Sequence, residues 1–199
     1  MEYTAVRGVG RMEMTEPLAD DAEMVQRVAR GDRQALAELY TRYQRPLFHY
    51  LLQLTPDYGL AEEMLQDTLV AVWKSAHSFE GRSSVLTWLI GIARRQAHNT
   101  LRRHKLPVVD ESELLELPAH DPEPEEFTLA SVERDELVAA FRQLAPMHRE
   151  ILTLTFVQEL SYQETAQALS VPLGTVKSRL SNAKKALRVL LESREGTKR

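Results

Sequence analysis

Three groups of side chains in this sequence have the types and spacing to do chemistry, and for all three it is binding chemistry. The first is Lys177, Ser178, Ser181, Asn182 and Lys185, which at 100° per residue collect on one face of a helix. Short hydrogen-bonding groups on such a face suit base edges in a major groove, and the ammonium groups suit phosphates. Thr175 opens the same helix, and Arg179 falls nearer its apolar edge, placed for a phosphate or a salt bridge. The second group is Trp88 with Arg95, His98, Asn99 and Arg102, an aromatic ring among cations. Unpaired bases stack on rings while phosphates meet arginine. The plain alternative is a packing tryptophan and ordinary surface arginines. Just before it, Phe79-Glu80-Gly81-Arg82-Ser83-Ser84 is a polar loop that could hold a flipped base or simply turn. The third group is Glu63, Gln66 and Asp67 with Val70, an acidic face with one apolar member, either a protein-docking surface or a solvated face.

Reaction chemistry finds no comparable support. There is no cysteine, which removes a thiol nucleophile, a disulfide framework and any cysteine zinc site. Six histidines, at 49, 77, 98, 104, 120 and 148, lack metal-ligand spacing with acids, and no glycine-rich phosphate loop occurs. The expectation is therefore no catalytic residue, no metal, no cofactor and no small-molecule substrate. No apolar run approaches the roughly 18–20 residues of a membrane span. Met1 to Arg11 lacks the apolar stretch of a signal peptide, and Met12 and Met14 are alternative starts. A cytoplasmic chain with no membrane insertion is expected.

The elements that must position these groups are helical throughout. Asp20 and Glu23 have capping-box spacing before a first helix ending near Gly31. Asp32 can cap a second, with Leu36, Leu39, Tyr40, Tyr43, Leu47 and Tyr50 at helical spacing and Pro46 expected to kink or interrupt it. A third runs from about Leu60 to His77 and buries Leu65, Leu69, Val72, Trp73 and Ala76. A fourth, from about Val85 to His104, buries Leu86, Leu89, Ile90, Ala93, Ala97 and Leu101. Further on, Ser131 can cap a helix to about Leu144, and Pro146 suits the first turn of the next. Ser161-Tyr162-Gln163-Glu164 is a capping box for a short helix to Leu169. Pro172 and Gly174 then lead into a long helix from Thr175 to about Glu192, whose stripe Val176, Leu180, Ala183, Leu187 and Leu190 packs inward. Two helices on a short turn, the second longer and basic, are a helix-turn-helix.

Charge divides the chain in the same places. The net charge is −4 over 199 residues, yet residues 22–104 carry net +3 and residues 137–199 net +5, while 105–136 carry net −9. Two mildly basic blocks around an acidic, proline-containing segment suggest two modules that meet a polyanion. The expected organisation is a disordered tail (1–19), a helical bundle (20–104), a flexible acidic linker (105–130), a helix-turn-helix bundle (131–192) and a short tail (193–199). The fold class is all-α.

Four stretches carry a resemblance to a family. Gly31-Asp32-Arg33-Gln34-Ala35-Leu36-Ala37-Glu38-Leu39-Tyr40 and Ala61-Glu62-Glu63-Met64-Leu65-Gln66-Asp67-Thr68-Leu69-Val70-Ala71-Val72-Trp73 lie in the first module. The loop from Phe79 with Thr87-Trp88-Leu89-Ile90-Gly91-Ile92-Ala93 is the third stretch. Leu160-Ser161-Tyr162-Gln163-Glu164-Thr165-Ala166 with Gly174-Thr175-Val176-Lys177-Ser178-Arg179-Leu180 is the fourth. Together they resemble a bacterial RNA polymerase sigma factor of the extracytoplasmic-function (ECF) class, which keeps only regions 2 and 4 of the sigma-70 family. The resemblance implies that Glu63, Gln66, Asp67 and Val70 dock on the clamp helices of the polymerase largest subunit. It implies that Phe79, Gly81, Arg82, Ser83 and Ser84 capture a flipped minus-ten base, with Trp88, Arg95, Asn99 and Arg102 along the opened strand. Thr175, Lys177, Ser178, Arg179, Ser181, Asn182 and Lys185 would read the minus-thirty-five duplex. Region 4 would also touch the flap of the second-largest subunit, and an anti-sigma factor is a further partner that the family often has. Arg95 stands where the family usually has Asn, and Asn99 lies one turn on. The rival readings are a helix-turn-helix repressor or activator working without polymerase, and a helical enzyme.

Overall fold

The computed structural model describes residues 18–104, 106 and 134–195. Among them every regular element is helical. The first module contains α1 (Leu18–Ala29), α2 (Arg33–Leu54), α3 (Tyr58–Ser75), a 3-10 turn (Ala76–Ser78) and α4 (Val85–Arg103). The second contains α5 (Arg134–Gln143), α6 (Pro146–Leu152) with a π turn after it (Thr153–Val157), α7 (Tyr162–Leu169) and α8 (Leu173–Glu195). The fold is all-α, with two helical domains. The expected linker, apart from Leu106, the Ser131 cap and most of both tails lie outside the described residues. No described helix is long and apolar enough to cross a membrane.

Local sequence sets most helix starts. Asp32 Oδ1 accepts from the Gln34 and Ala35 N–H groups at 2.9 and 3.1 Å, after Gly31 turns the chain at φ +88°. The Ala35 N–H, followed by the Arg27 guanidinium, holds the Asp32 carboxyl below its ordinary range. Ser84 caps α4 by accepting from the Thr87 N–H at 3.2 Å. The first helix differs from expectation: α1 begins at Leu18, so Asp20 sits in its first turn and the Asp20–Glu23 box does not form the start. Tertiary partners claim the carboxylates of Asp20 and its neighbour Asp21 instead. Arg42 pairs with Asp20 and Asp21, and the Tyr43 hydroxyl donates to Asp21.

Pro46 does not interrupt α2, which runs through it as one element. An interior proline costs about 3 kcal/mol. Tyr43, Leu47, Tyr50 and Leu51 flank it and are buried, at about 1.5–3 kcal/mol for each large apolar side chain, so packing wins.

The first module's core is built from these α2 residues, Ala61, Met64, Leu65 and Val72 of α3, and Leu89, Ile90, Ala93, Ala97 and Leu101 of α4. Leu69, Trp73 and Leu86, expected inside, are only half-buried. Met64, Ala61 and Thr68 take the centre of α3 in place of Leu69 and Trp73. The second module packs Val176, Leu180, Ala183 and Leu187 of α8 onto Ala140, Leu144, Ile151, Leu154 and Leu169. Between the modules α4 lies against α7 and α2 against α6, and the buried residues of both form one continuous core.

Candidate nucleic-acid interface

The helix-turn-helix is assembled by its own caps. Ser161 Oγ accepts from the Glu164 N–H at 3.2 Å while the Glu164 carboxylate accepts from the Ser161 N–H at 3.0 Å. Ser170 ends α7 in the left-handed region at φ 56°, and the turn to α8 follows. In α8 the apolar stripe faces inward, so Lys177 and Lys185 are exposed and Thr175, Ser178, Ser181 and Asn182 are half-exposed. Ser178 Oγ donates to the Thr175 carbonyl at 3.1 Å, which occupies its hydrogen while leaving its lone pairs outward. Arg179, expected near the apolar edge and placed for a phosphate or a salt bridge, lies fully on the packed side. It is only 6% exposed, because it lies three residues after Val176 and one before Leu180 on the packed side. Its side chain is not on the exposed face that carries Lys177 and Lys185.

The acidic face of α3 is gathered and already held by an arginine of the same chain. Arg103 Nη2 donates to Glu63 Oε1 at 3.1 Å, to Asp67 Oδ2 at 2.8 Å and to Thr100 Oγ1 at 2.8 Å. His104 Nε2 stands 3.6 Å from the other Glu63 oxygen. Gln66 is exposed beside them, and Val70 is 52% exposed. Arg103 was not singled out from sequence. Its signal is position: the last turn of α4 runs alongside α3, and Arg103 is the second of an Arg-Arg pair.

The 79–84 loop and α4 form the third group. Gly81 takes φ +70°, and Arg82 pairs with Glu80 at 2.6 Å. The Phe79 ring lies 5.1 Å from that of Trp88, tilted by 53°, so the half-buried tryptophan has a packing partner on one side. Arg95, Asn99 and Arg102 are exposed along α4, and His98 is half-buried. Phe79, Gly81, Arg82, Ser83, Ser84 and Val85 form one wall of a cleft of about 460 Å³. Ser161, Gln163, Glu164 and Gln167 from α7 form the other. Across it, Thr87 Oγ1 donates to Glu164 Oε1 at 3.4 Å. Burial raises the Glu164 carboxyl, but the Ser161 N–H and the hydroxyls of Ser161, Ser84 and Thr87 together hold it below its ordinary value.

Sequence reasoning missed the polar centre between the modules. Glu150 is 1% exposed, and its Oε1 accepts from the Tyr50 hydroxyl at 2.7 Å and from Arg94 Nε at 3.1 Å. Arg94 Nη1 donates to the Leu169 carbonyl at 3.3 Å. Burial, then the Glu150 charge, pushes the Tyr50 hydroxyl far above its ordinary value. A signal was available: Glu150 precedes Ile151 on a buried helix, and Arg94 follows Ala93 in an apolar stripe, and such charges need partners.

The family model for sigma-70 region 2 matches residues 39–106, and that for sigma-70 region 4 matches residues 134–187. The chain is 31% identical to the RNA polymerase sigma factor YlaC of Bacillus subtilis, over 82% of this chain and 96% of that protein. It is 31% identical to the ECF RNA polymerase sigma factor RpoE of Cereibacter sphaeroides, over 79% of this chain and 86% of that protein. Among solved structures it resembles the sigma factor RpoE of Bartonella quintana in complex with the anti-sigma factor NepR, with a TM-score of 0.58 and 26% identity. That match covers 78% of this chain and 96% of that one.

Proposed function

This chain belongs to the extracytoplasmic-function class of the sigma-70 family, and from that premise we propose how its surfaces divide the work of transcription initiation. A sigma factor binds core RNA polymerase and promoter DNA, and its work is recognition. The α3 face of Glu63, Gln66, Asp67 and Val70 docks on the clamp helices of the largest polymerase subunit, with a cation of the partner replacing Arg103. The α8 face of Thr175, Lys177, Ser178, Ser181, Asn182 and Lys185 reads the minus-thirty-five duplex. Arg179 supports that face from inside rather than touching phosphate. The loop Phe79, Gly81, Arg82, Ser83 and Ser84 takes a flipped minus-ten base. Trp88, Arg95, Asn99 and Arg102 hold the opened strand, and unstacking a base costs a few kcal/mol that stacking and cation contacts must offset. Region 4 also meets the flap of the second-largest subunit. The protein acts in the cytoplasm, where polymerase is, and an anti-sigma factor is a further partner, as NepR is of the Bartonella protein.

The observation that carries this division is one chain that exposes a polar, cationic α8 face and, on a separate bundle, a carboxylate face beside an arginine-lined helix. A repressor needs the first and has no use for the second. Adding the purified chain to core polymerase and a library of genomic fragments, then sequencing the transcripts, is the test. Start sites sharing two upstream elements are expected. Tight duplex binding by the chain alone, with no transcripts, would support the repressor reading instead.

A further inference from the structure

The outward side chains of α8 carry unequal amounts of information. Opposite the buried stripe of Val176, Leu180, Ala183 and Leu187, the first turns present Ser178, Ser181, Asn182 and Lys185. A serine hydroxyl rotates to donate or to accept, so it fits any base edge. That of Ser178 already donates to the Thr175 carbonyl. Lysine has three donors and no acceptor, and it meets a phosphate as readily as a base. Asn182 is the one residue of α8 with a side-chain amide, which holds a donor and an acceptor in a single plane. Its carboxamide makes no hydrogen bond among the described residues. The fold gives no reason for it, because asparagine inside a helix is less favourable than alanine. Its neighbours Arg179, three residues before, and Ala183 are both buried, so packing confines Asn182 on its core side. A short, half-exposed side chain held in this way has little rotamer freedom left to lose on binding. Ser178 and Ser181 are short as well, which lets the helix come close enough to a groove floor for Asn182 to reach it.

We propose that Asn182 selects an adenine in the duplex element that α8 reads. This rests on the role of α8 proposed above and adds the base. In the major groove adenine presents its N7 acceptor beside its N6 amino donor, the complement of the carboxamide's own pair. The Asn182 Nδ2 group donates to N7 while Oδ1 accepts from the N6 amino group. Guanine offers two acceptors and sets its O6 against Oδ1. Cytosine offers one donor, and thymine one acceptor beside a methyl group. Each of these three leaves one end of the amide unpaired where water has been displaced. A good bidentate pair of this kind discriminates by about 5- to 140-fold.

The test uses holoenzyme, the full chain with core RNA polymerase, on promoters whose upstream element is randomised and linked to a transcribed barcode. Sequencing the transcripts should show one upstream position at which adenine, on one strand, exceeds every other base by at least about fivefold. Asn182→Ala should flatten the preference at that position and keep the order of bases at the others. Asn182→Asp has nearly the same shape but only acceptors, and should move that position from adenine to cytosine, whose N4 amino group donates. Lost packing cannot produce such a switch, so Asn182→Asp decides the question should Asn182→Ala lose its helical circular dichroism. The assignment is overturned if templates share an upstream element and Asn182→Ala leaves every position unchanged. It is equally overturned if the flattened position favoured another base, or if Asn182→Asp keeps the adenine. Transcripts from templates with no shared upstream element would instead overturn the reading of α8 as a whole.

Discussion

The molecule contains two arginine–carboxylate clusters of similar chemistry and opposite surroundings. Arg94 and Glu150 are 8% and 1% exposed and bind across the module boundary. Arg103, Glu63 and Asp67 form a cluster on the surface of one module, with side chains 38–57% exposed. An exposed pair contributes about 0–1 kcal/mol, because water and salt screen it. Removing one partner of a buried pair costs about 3–5 kcal/mol, because the other charge is stranded. The difference separates their roles. A surface cluster can exchange its cation for a partner's at little cost, which suits docking. A buried cluster enforces one arrangement of the two modules and yields only when they part.

The largest effect should follow from breaking the buried cluster. Arg94→Leu strands the Glu150 carboxylate and should destabilise the contact between the modules by about 3–5 kcal/mol. Separation of the modules is the escape, since it returns Glu150 to water. Urea unfolding followed by circular dichroism should then show two transitions where the unsubstituted chain shows one. Arg94→Leu combined with Glu150→Leu should bring back a single transition, because neither charge remains to be desolvated. A single unchanged transition in Arg94→Leu alone would mean that the buried pair does not couple the modules.

Next in size is the loss of docking. Glu63→Lys with Asp67→Lys reverses the α3 face opposite the Leu65 and Val72 side, and should weaken core polymerase binding by at least about 2–5 kcal/mol. The same double variant should change folding stability by no more than about 1 kcal/mol per lost pair, since those pairs are exposed. A competition assay against the unsubstituted chain measures the first, and thermal unfolding the second. Unchanged affinity would remove the docking role from this face.

The comparison also explains what could be read from sequence. Features fixed within four residues were legible: the Asp32 cap, the Ser161–Glu164 box and Pro146 at the start of α6 all stand as local chemistry requires. The α8 stripe was legible too, since Val176, Leu180, Ala183 and Leu187 repeat at helical spacing and are all buried. Features fixed by distant partners were not. Tyr50 and Glu150 are 100 residues apart, and nothing in periodicity pairs them. Asp20 has the spacing of a cap, yet Arg42, 22 residues away, takes its carboxylate. Arg179 lies one helical step from Ser178 and was read at the apolar edge, and that rotation decides whether a cation meets solvent or the core. The α3 face shows the intermediate case, in which the carboxylates were visible as a group and the Arg103 that holds them was not.

The smallest effect tests whether Arg103 competes with the partner or organises the site for it. Arg103→Ala removes three contacts of one nitrogen, to Glu63, Asp67 and Thr100, and should lower stability by about 1 kcal/mol, because both ion pairs are exposed. If Arg103 only holds the place of a partner cation, its removal spares the partner the work of displacing it. Core polymerase binding should then tighten, by up to about 1 kcal/mol or roughly fivefold. Salt should shrink the difference, since it screens the intramolecular pair that Arg103→Ala deletes. Titrating labelled core polymerase at two ionic strengths measures both. Weaker binding in Arg103→Ala would mean that Arg103 sets the rotamers of Glu63 and Asp67 before docking. Arg103→Lys then separates the two roles further. A lysine ammonium can still compete for the carboxylates, but it lacks the planar guanidinium that seats the single Arg103 Nη2 group between Glu63, Asp67 and Thr100.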